Sequence, residues 1–289
     1  VGNIEAADGR NITIGAIHGF GQTPEHWKYL RETLTAQGIG FIAVDLPAGD
    51  PKATYEDYAA AAAEAFQPAV ENGDHFFLLD HSMGGHTIPG TTRRLRRLGQ
   101  DAVSGIIDIS PSIGPRKPGS GDVADLAARL LPPIPQQRSS PEFQRALLPL
   151  LNGLWVLNSA KIRQLLFNEC DDTRFAWALE HTTRPAGRPT DEPSEEDQRI
   201  PSLLGIPRLY IKTEHDNVRR DEERTAHSIG ATLVEMSGDH SPAVSRPEEL
   251  ARVIVDFIGR TIAGSDFDAS QRAARPVPQQ TTYDQVPRF

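Results

Sequence analysis

The run His75-Phe76-Phe77-Leu78-Leu79-Asp80 is apolar at both odd and even positions and breaks off at His81-Ser82-Met83-Gly84-Gly85. A half-exposed strand would alternate apolar and polar residues. This one does not, so it is expected to be buried on both faces. A strand covered on both sides belongs to a parallel sheet sandwiched between helices. The two glycines after Ser82 allow a tight turn, and the residues from Met83 to about Leu98 read as a helix that starts there.

The neighbouring segments follow the same rhythm. Strands are expected at Ile12–Ile17, Phe41–Leu46, 104–110, Arg208–Thr213 and 231–237. Helices are expected over Pro24–Gln37, Tyr55–Phe66, 219–229 and Pro247–Ile262. Between Pro111 and Ile200 no strand is evident. Proline joints there separate helical stretches at Pro141–Leu151, Ala160–Asn168 and Thr173–His181. Strands alternating with helices predict one α/β domain with a mostly parallel sheet, in two parts (1–111 and 201–263) around a helical cap (112–200). Residues 264–289, rich in Gln, Pro and Arg and without periodicity, read as a tail, disordered or draped over the surface.

Composition narrows the function. The 289 residues suffice for a substantial core, and a formal net charge of −9 argues against nucleic acid or an anionic membrane as partner. The basic run Arg93-Arg94-Leu95-Arg96-Arg97 reads as a solvated helix face. No run is long enough to span a bilayer. One cysteine, Cys170, excludes an intrachain disulfide and favours a reducing compartment, so a cytoplasmic location is the expectation. There is no H-E-x-x-H, no Cys/His cluster and no G-x-G-x-x-G after a strand, so no metal or other cofactor is expected.

Ser82 stands where an apolar strand meets a helix, the context in which a G-x-S-x-G-like turn presents a nucleophile. A serine hydroxyl needs a base, a group to orient that base, and amide donors for the developing oxyanion. The amide of Met83, at the helix start, is one candidate donor. The amide of Phe20, in the turn His18-Gly19-Phe20 after the first strand, is the other. His240, in Ser-Gly-Asp-His-Ser-Pro after the last strand, is the candidate base. Asp216, three residues beyond Thr213, is the candidate orienting acid, with Glu214 as a rival and Asp108 as a fallback. His18 is read as ordering its turn. Gly19 and His81 flank the candidate site and are placed among the substrate-side residues, with a structural role as the plainer reading of His81. Leu154, Trp155, Leu166, Phe167 and Trp177 are candidate apolar walls from the cap, each of which could equally be core packing. Asp80 occupies the position of the first glycine of the turn, a departure from the pattern.

Taken together these segments resemble the methylesterase and hydroxynitrile lyase branch of the α/β-hydrolase superfamily and its bacterial relatives. The likeness rests on IHGFGQTPEHW, on DHSMGG, on the strand and loop around Tyr210-Ile211-Lys212-Thr213 and Asp216, and on the segment around His240. FNECDDTRFAWALEHTTRP is similar to the family's cap helix at lower specificity. The resemblance spans about Ile12 to Ile262. It implies the α/β-hydrolase fold, with Ser82, Asp216 and His240 as a triad. The lyase members carry Thr after the first-turn His and Lys after the base. Here Gly19 and Ser241 stand there, which favours esterase chemistry.

The reading is a cofactor-free carboxylesterase that takes a small-molecule ester with an apolar acyl part. Its alternatives are a lyase or cyclase that uses His240 as base, and a ligand-binding protein without catalysis. The oligomeric state is open, a homodimer included.

Overall fold

The computed structural model describes residues 6–113, 147–149, 155–157, 159–182, 184, 189, 193, 197, 201, 204–218 and 222–264. A central sheet is built from β1 (Ile12–Ile17), β2 (Gly40–Val44), β3 (His75–His81), β4 (Gly105–Ile109), β7 (Arg208–Thr213) and β8 (Thr232–Met236). Its order is β2-β1-β3-β4-β7-β8, and every ladder is parallel. β1, β3 and β4 are buried along their whole length, as the lack of alternation in their sequences requires.

Helices cover both faces. On one side α1 (Lys28–Thr35), with Trp27 just ahead of it, and α8 (Pro247–Ile262) bring Trp27, Leu30, Leu34, Leu250, Ile254 and Phe257 against the sheet. Each such side chain contributes about 1.5–3 kcal/mol on full burial. On the other side α2 (Tyr55–Glu71) and α3 (Ile88–Leu95) bring Tyr58, Ala62, Phe66, Ile88 and Leu95. α2 starts at a capping box in which Thr54 and Asp57 satisfy each other's backbone N–H. It continues beyond Phe66 and through Pro68, because Asn72 N–H reaches the Pro68 carbonyl at 3.0 Å and resumes the helical pattern.

Two expected helices are shorter. Residues Pro24–Trp27 form a 3-10 turn ahead of α1, and Ser82–His86 form another ahead of α3. Glycines at 84 and 85 and the missing N–H of Pro89 account for the second delay.

Residues 112–200, expected to be helical, contain strands. β5 (Leu147–Pro149) pairs antiparallel with β6 (Trp155–Leu157). This strand falls inside the expected helix 141–151, where Pro149 disfavours a helix interior. Asn152-Gly153, a strong hairpin dipeptide, lies between the two strands in the sequence. Two helices follow, α4 (Ser159–Leu166) and α5 (Asp172–His181), the latter capped by Asp171. After β7 come α6 (Glu222–Ser228) and, beyond β8, a short helix, α7 (Pro242–Ser245), before α8. Most of 112–200, Leu154, residues 219–221 and the tail beyond Gly264 lie outside the described residues. Among the described residues no helix is long and apolar enough to cross a membrane.

Candidate active site

The strand order reverses between β1 and β3, since β2 lies on one flank of β1 and β3 on the other. Crevices form beyond the carboxyl ends of parallel strands at such a switch point. Ile17 is in register with Asp80, so the turn beginning at His18 and the turn beginning at Ser82 emerge close together.

Ser82 has φ +52°, in the left-handed region that a non-glycine residue enters at a cost of about 1–3 kcal/mol. The residue before it is extended, with φ −134°. The chain therefore turns sharply at Ser82 itself. Gly84 and Gly85 permit the close approach behind it. A Cβ on Gly84 would lie 2.6 Å from the Ile17 carbonyl oxygen, and one on Gly85 would lie 2.8 Å from that of Ser112. Ser112 N–H in turn donates to the Ser82 carbonyl at 2.6 Å.

His240 Nδ1–H donates to Asp216 Oδ2 at 2.8 Å, and both side chains are about 1% exposed. The other carboxylate oxygen of Asp216 accepts the Val218 N–H at 2.6 Å. With its proton held on Nδ1, the neutral ring of His240 has its lone pair on Nε2. The rival acids go elsewhere. Glu214 is exposed. Asp108, inside β4, takes Arg208 Nε and Nη2 in two bonds of 2.6 Å each, a buried bidentate pair. Asp80 stands in register with Asp108, and its charge is one of the influences that raise the Arg208 pKa, behind Asp108 itself and against the opposing effect of burial. The aspartate in place of the first turn glycine thus lies in a buried cluster of opposite charges.

The turn Gly19–Gln22 packs on the serine. A Cβ on Gly19 would meet Ser82 Cβ and His81 Nδ1 at 3.1 Å each. Gly19 N–H donates to Gln22 Oε1 at 2.8 Å. His18 is fully buried. Its Nδ1–H donates to the Gly19 carbonyl at 3.0 Å, while Nε2 accepts from Leu46 N–H at 3.4 Å and Arg184 Nη2 at 3.2 Å. Burial pushes its pKa down to about 4, which keeps this tautomer neutral. It orders its turn, as the sequence suggests.

Three of the expected substrate-side residues make close contacts within the protein. His81 is fully buried, with its ring nitrogens facing Gln22 and the His240 carbonyl. Phe167 has no exposed surface and packs with Val218 and Val244, between α4 and α5 and the loops that carry Asp216 and His240. Trp177 meets Tyr29 edge-on at 4.8 Å, stacks on His181 at 5.2 Å and lies under the Lys28 ammonium, so it joins α5 to α1. Leu166 is buried in the same cluster as Phe167. Of Trp155 the backbone alone is described.

Several side chains that build the site had no signature in the sequence. Glu169 pairs with His215 and, at 2.7 Å, with Arg246, while its N–H donates to Asp239 at 3.0 Å. Asn168 Nδ2 reaches the His215 carbonyl at 3.2 Å, and Arg174 reaches those of Val244 and Ser245 at 2.9 Å. Residues 168–174 are thereby pinned to both loops. On the opposite side Thr23 N–H donates to Thr182 O at 3.0 Å and Arg184 N–H to Gly21 O at 2.9 Å, which ties the end of α5 to the turn after β1. Among the described residues no group of three or more His, Cys, Asp or Glu is arranged to hold a metal ion.

The profile of the family described as "Alpha/beta hydrolase family" matches residues 16–253. The chain is similar to the alpha/beta hydrolase nvfD of Aspergillus novofumigatus (strain IBT 16806), with 24% identity over 262 residues that cover 87% of this chain and 96% of that protein. Among solved structures it resembles polyneuridine aldehyde esterase, at TM-score 0.61 and 18% identity over 86% of this chain and 99% of that one. It also resembles a pyrethroid hydrolase from Sphingobium faniae JZ-2, at TM-score 0.58 and 22% identity over 86% of this chain and 97% of that one.

Proposed function

The chain belongs to the α/β-hydrolase family, and from that premise we propose that it is a carboxylesterase in which Ser82, His240 and Asp216 act as a triad. The observation that carries the reading is the buried 2.8 Å contact between His240 Nδ1 and Asp216, which leaves Nε2 as the basic nitrogen. Ser82 Oγ attacks the ester carbonyl carbon and passes its proton to His240 Nε2. The backbone amides of Met83 and Phe20 hold the oxyanion. The proton then goes to the leaving alkoxide, which departs as the alcohol. Water, deprotonated by the same histidine, releases the acid and frees the serine. The substrate is a small or medium ester with an apolar acyl part. The esterase and hydrolase names of the structural neighbours, and the Gly19 and Ser241 departures from the lyase pattern, support hydrolysis.

The test is turnover of a p-nitrophenyl ester series by wild type and Ser82→Ala, with intact-mass detection of a fluorophosphonate adduct. Turnover abolished in the variant, and a single adduct that maps to Ser82, are expected. A folded wild type with neither turnover nor adduct would overturn the reading.

A further inference from the structure

His81 precedes the serine, and its buried ring faces Gln22 and the main chain of His240. Nε2–H donates to the main-chain carbonyl of His240 at 2.6 Å. Nδ1 stands 2.9 Å from Gln22 Oε1, the same oxygen that takes the Gly19 N–H at 2.8 Å. Both ring nitrogens thus face oxygen acceptors, so the ring bridges Gln22 and the His240 carbonyl as a double donor, with a proton on each nitrogen. The ring is also clamped from the sides. His26 stacks on it at 4.7 Å with planes 13° apart, and the His240 ring lies 4.6 Å away. Trp27 closes against both His26 and His81 edge-on. Neither ring nitrogen of His26 has a hydrogen-bond partner among the described residues, so its role toward His81 is face contact. Burial pushes the His26 pKa down to about 3, so that contact is made by a neutral ring.

The consequence is mechanical. The turn that carries Gly19 and Phe20 comes from β1, and His240 comes from the loop after β8, at the far end of the sheet order. β3 lies between them, and His81 is the residue of β3 that touches both. We propose that His81 is a positioning residue that couples the backbone of the base His240 to the oxyanion turn through Gln22, so that base and oxyanion donor keep one fixed separation across the reacting carbonyl. This rests on the esterase reading of the same site. A serine hydrolase needs that separation held to a fraction of an ångström, since a misplacement of about 1 Å costs on the order of 10²-fold in rate.

The experiment is a double-mutant cycle of His81→Ala and Gln22→Ala, read by kcat and KM on a p-nitrophenyl ester and on its thionoester. Each single variant is expected to lose up to about 10²-fold in kcat with KM little changed. The double variant should lose scarcely more than either, because both remove one coupling. Gln22→Glu, which keeps the acceptor for Gly19 N–H, should recover most of the loss. The preference for the oxygen ester over the thionoester should narrow in both alanine variants, which a general loss of packing would not produce. The Gly19 amide resonance in ¹H–¹⁵N spectra should move upfield in His81→Ala as well as in Gln22→Ala, and this readout does not need turnover. If His81→Ala does not fold, Gln22→Ala reads the same contact from the other side, in the buried turn after β1. Additive losses, or a Gly19 amide unmoved by the His81 change, would overturn the coupling. An inactive wild type with the Gly19 shift intact would overturn the esterase reading and leave the coupling standing.

Discussion

The buried pair of Asp108 and Arg208 beneath the serine turn lends itself to a quantitative test. Its side chains are 0% and 3% exposed, and the two bonds of 2.6 Å between them are the geometry in which a guanidinium and a carboxylate satisfy each other fully. Asp108→Asn removes the charge and leaves the guanidinium buried. Breaking such a pair from one side costs about 3–5 kcal/mol. Here Asp80, in register with Asp108 and close enough to act on the Arg208 charge, offsets part of that loss, so the lower end of the range is expected. At about 2–4 °C per kcal/mol for a large domain, the melting temperature should fall by about 10 °C. Arg208→Met alone should cost more, because it strands two carboxylates. The double variant Asp108→Leu with Arg208→Met should be less destabilised than Arg208→Met, since it buries no uncompensated charge at Asp108. Urea titration of the four proteins at neutral pH measures this. A loss under 1 kcal/mol for Asp108→Asn, or a double variant no more stable than Arg208→Met, would refute the buried-pair argument.

Three further outcomes follow from the site. Asp216→Asn should fold normally yet lower kcat/KM by about 10⁴-fold, because the amide no longer fixes the proton on His240 Nδ1; steady-state kinetics on the p-nitrophenyl ester checks this. His18 and His26 have folded pKa values held below the unfolded one, at about 4 and about 3, so the unfolded chain binds the extra protons. Their contribution to stability is complete above the unfolded value near 6.5 and is lost as pH falls below it, at about 1 kcal/mol per pH unit for each. Urea midpoints between pH 7 and pH 4.5 should show this slope, and His26→Phe should flatten it. Gly84→Ala places a methyl group 2.6 Å from the Ile17 carbonyl oxygen and 3.0 Å from that of His18, both backbone atoms that cannot swing aside. It should destabilise by about 1–3 kcal/mol or more and reduce fluorophosphonate labelling of Ser82, read by thermal melts and intact mass.

Much of the architecture is written locally. Apolar residues at both parities in 75–80 require a strand covered on both sides, and that requirement is met by parallel neighbours and by helices on each face. The glycine pair after Ser82 and the positions of Asp216 and His240 at strand ends are also local, so the candidate site was legible before any contact was known. What the chain does not record locally is which partners meet. Three acids could have served His240. Only tertiary placement turns Glu214 to solvent, commits Asp108 to Arg208, and buries Asp216 against the imidazole. The direction of the His81 ring, the packing of Phe167 on Val218 and Val244, the contact of Trp177 with Tyr29, and the β5–β6 pairing belong to the same class. Periodicity reports the face on which a side chain leaves its own strand or helix. The group it meets there is set by register and packing between segments far apart in sequence, and in this protein that long-range choice decides the polar contacts around Ser82.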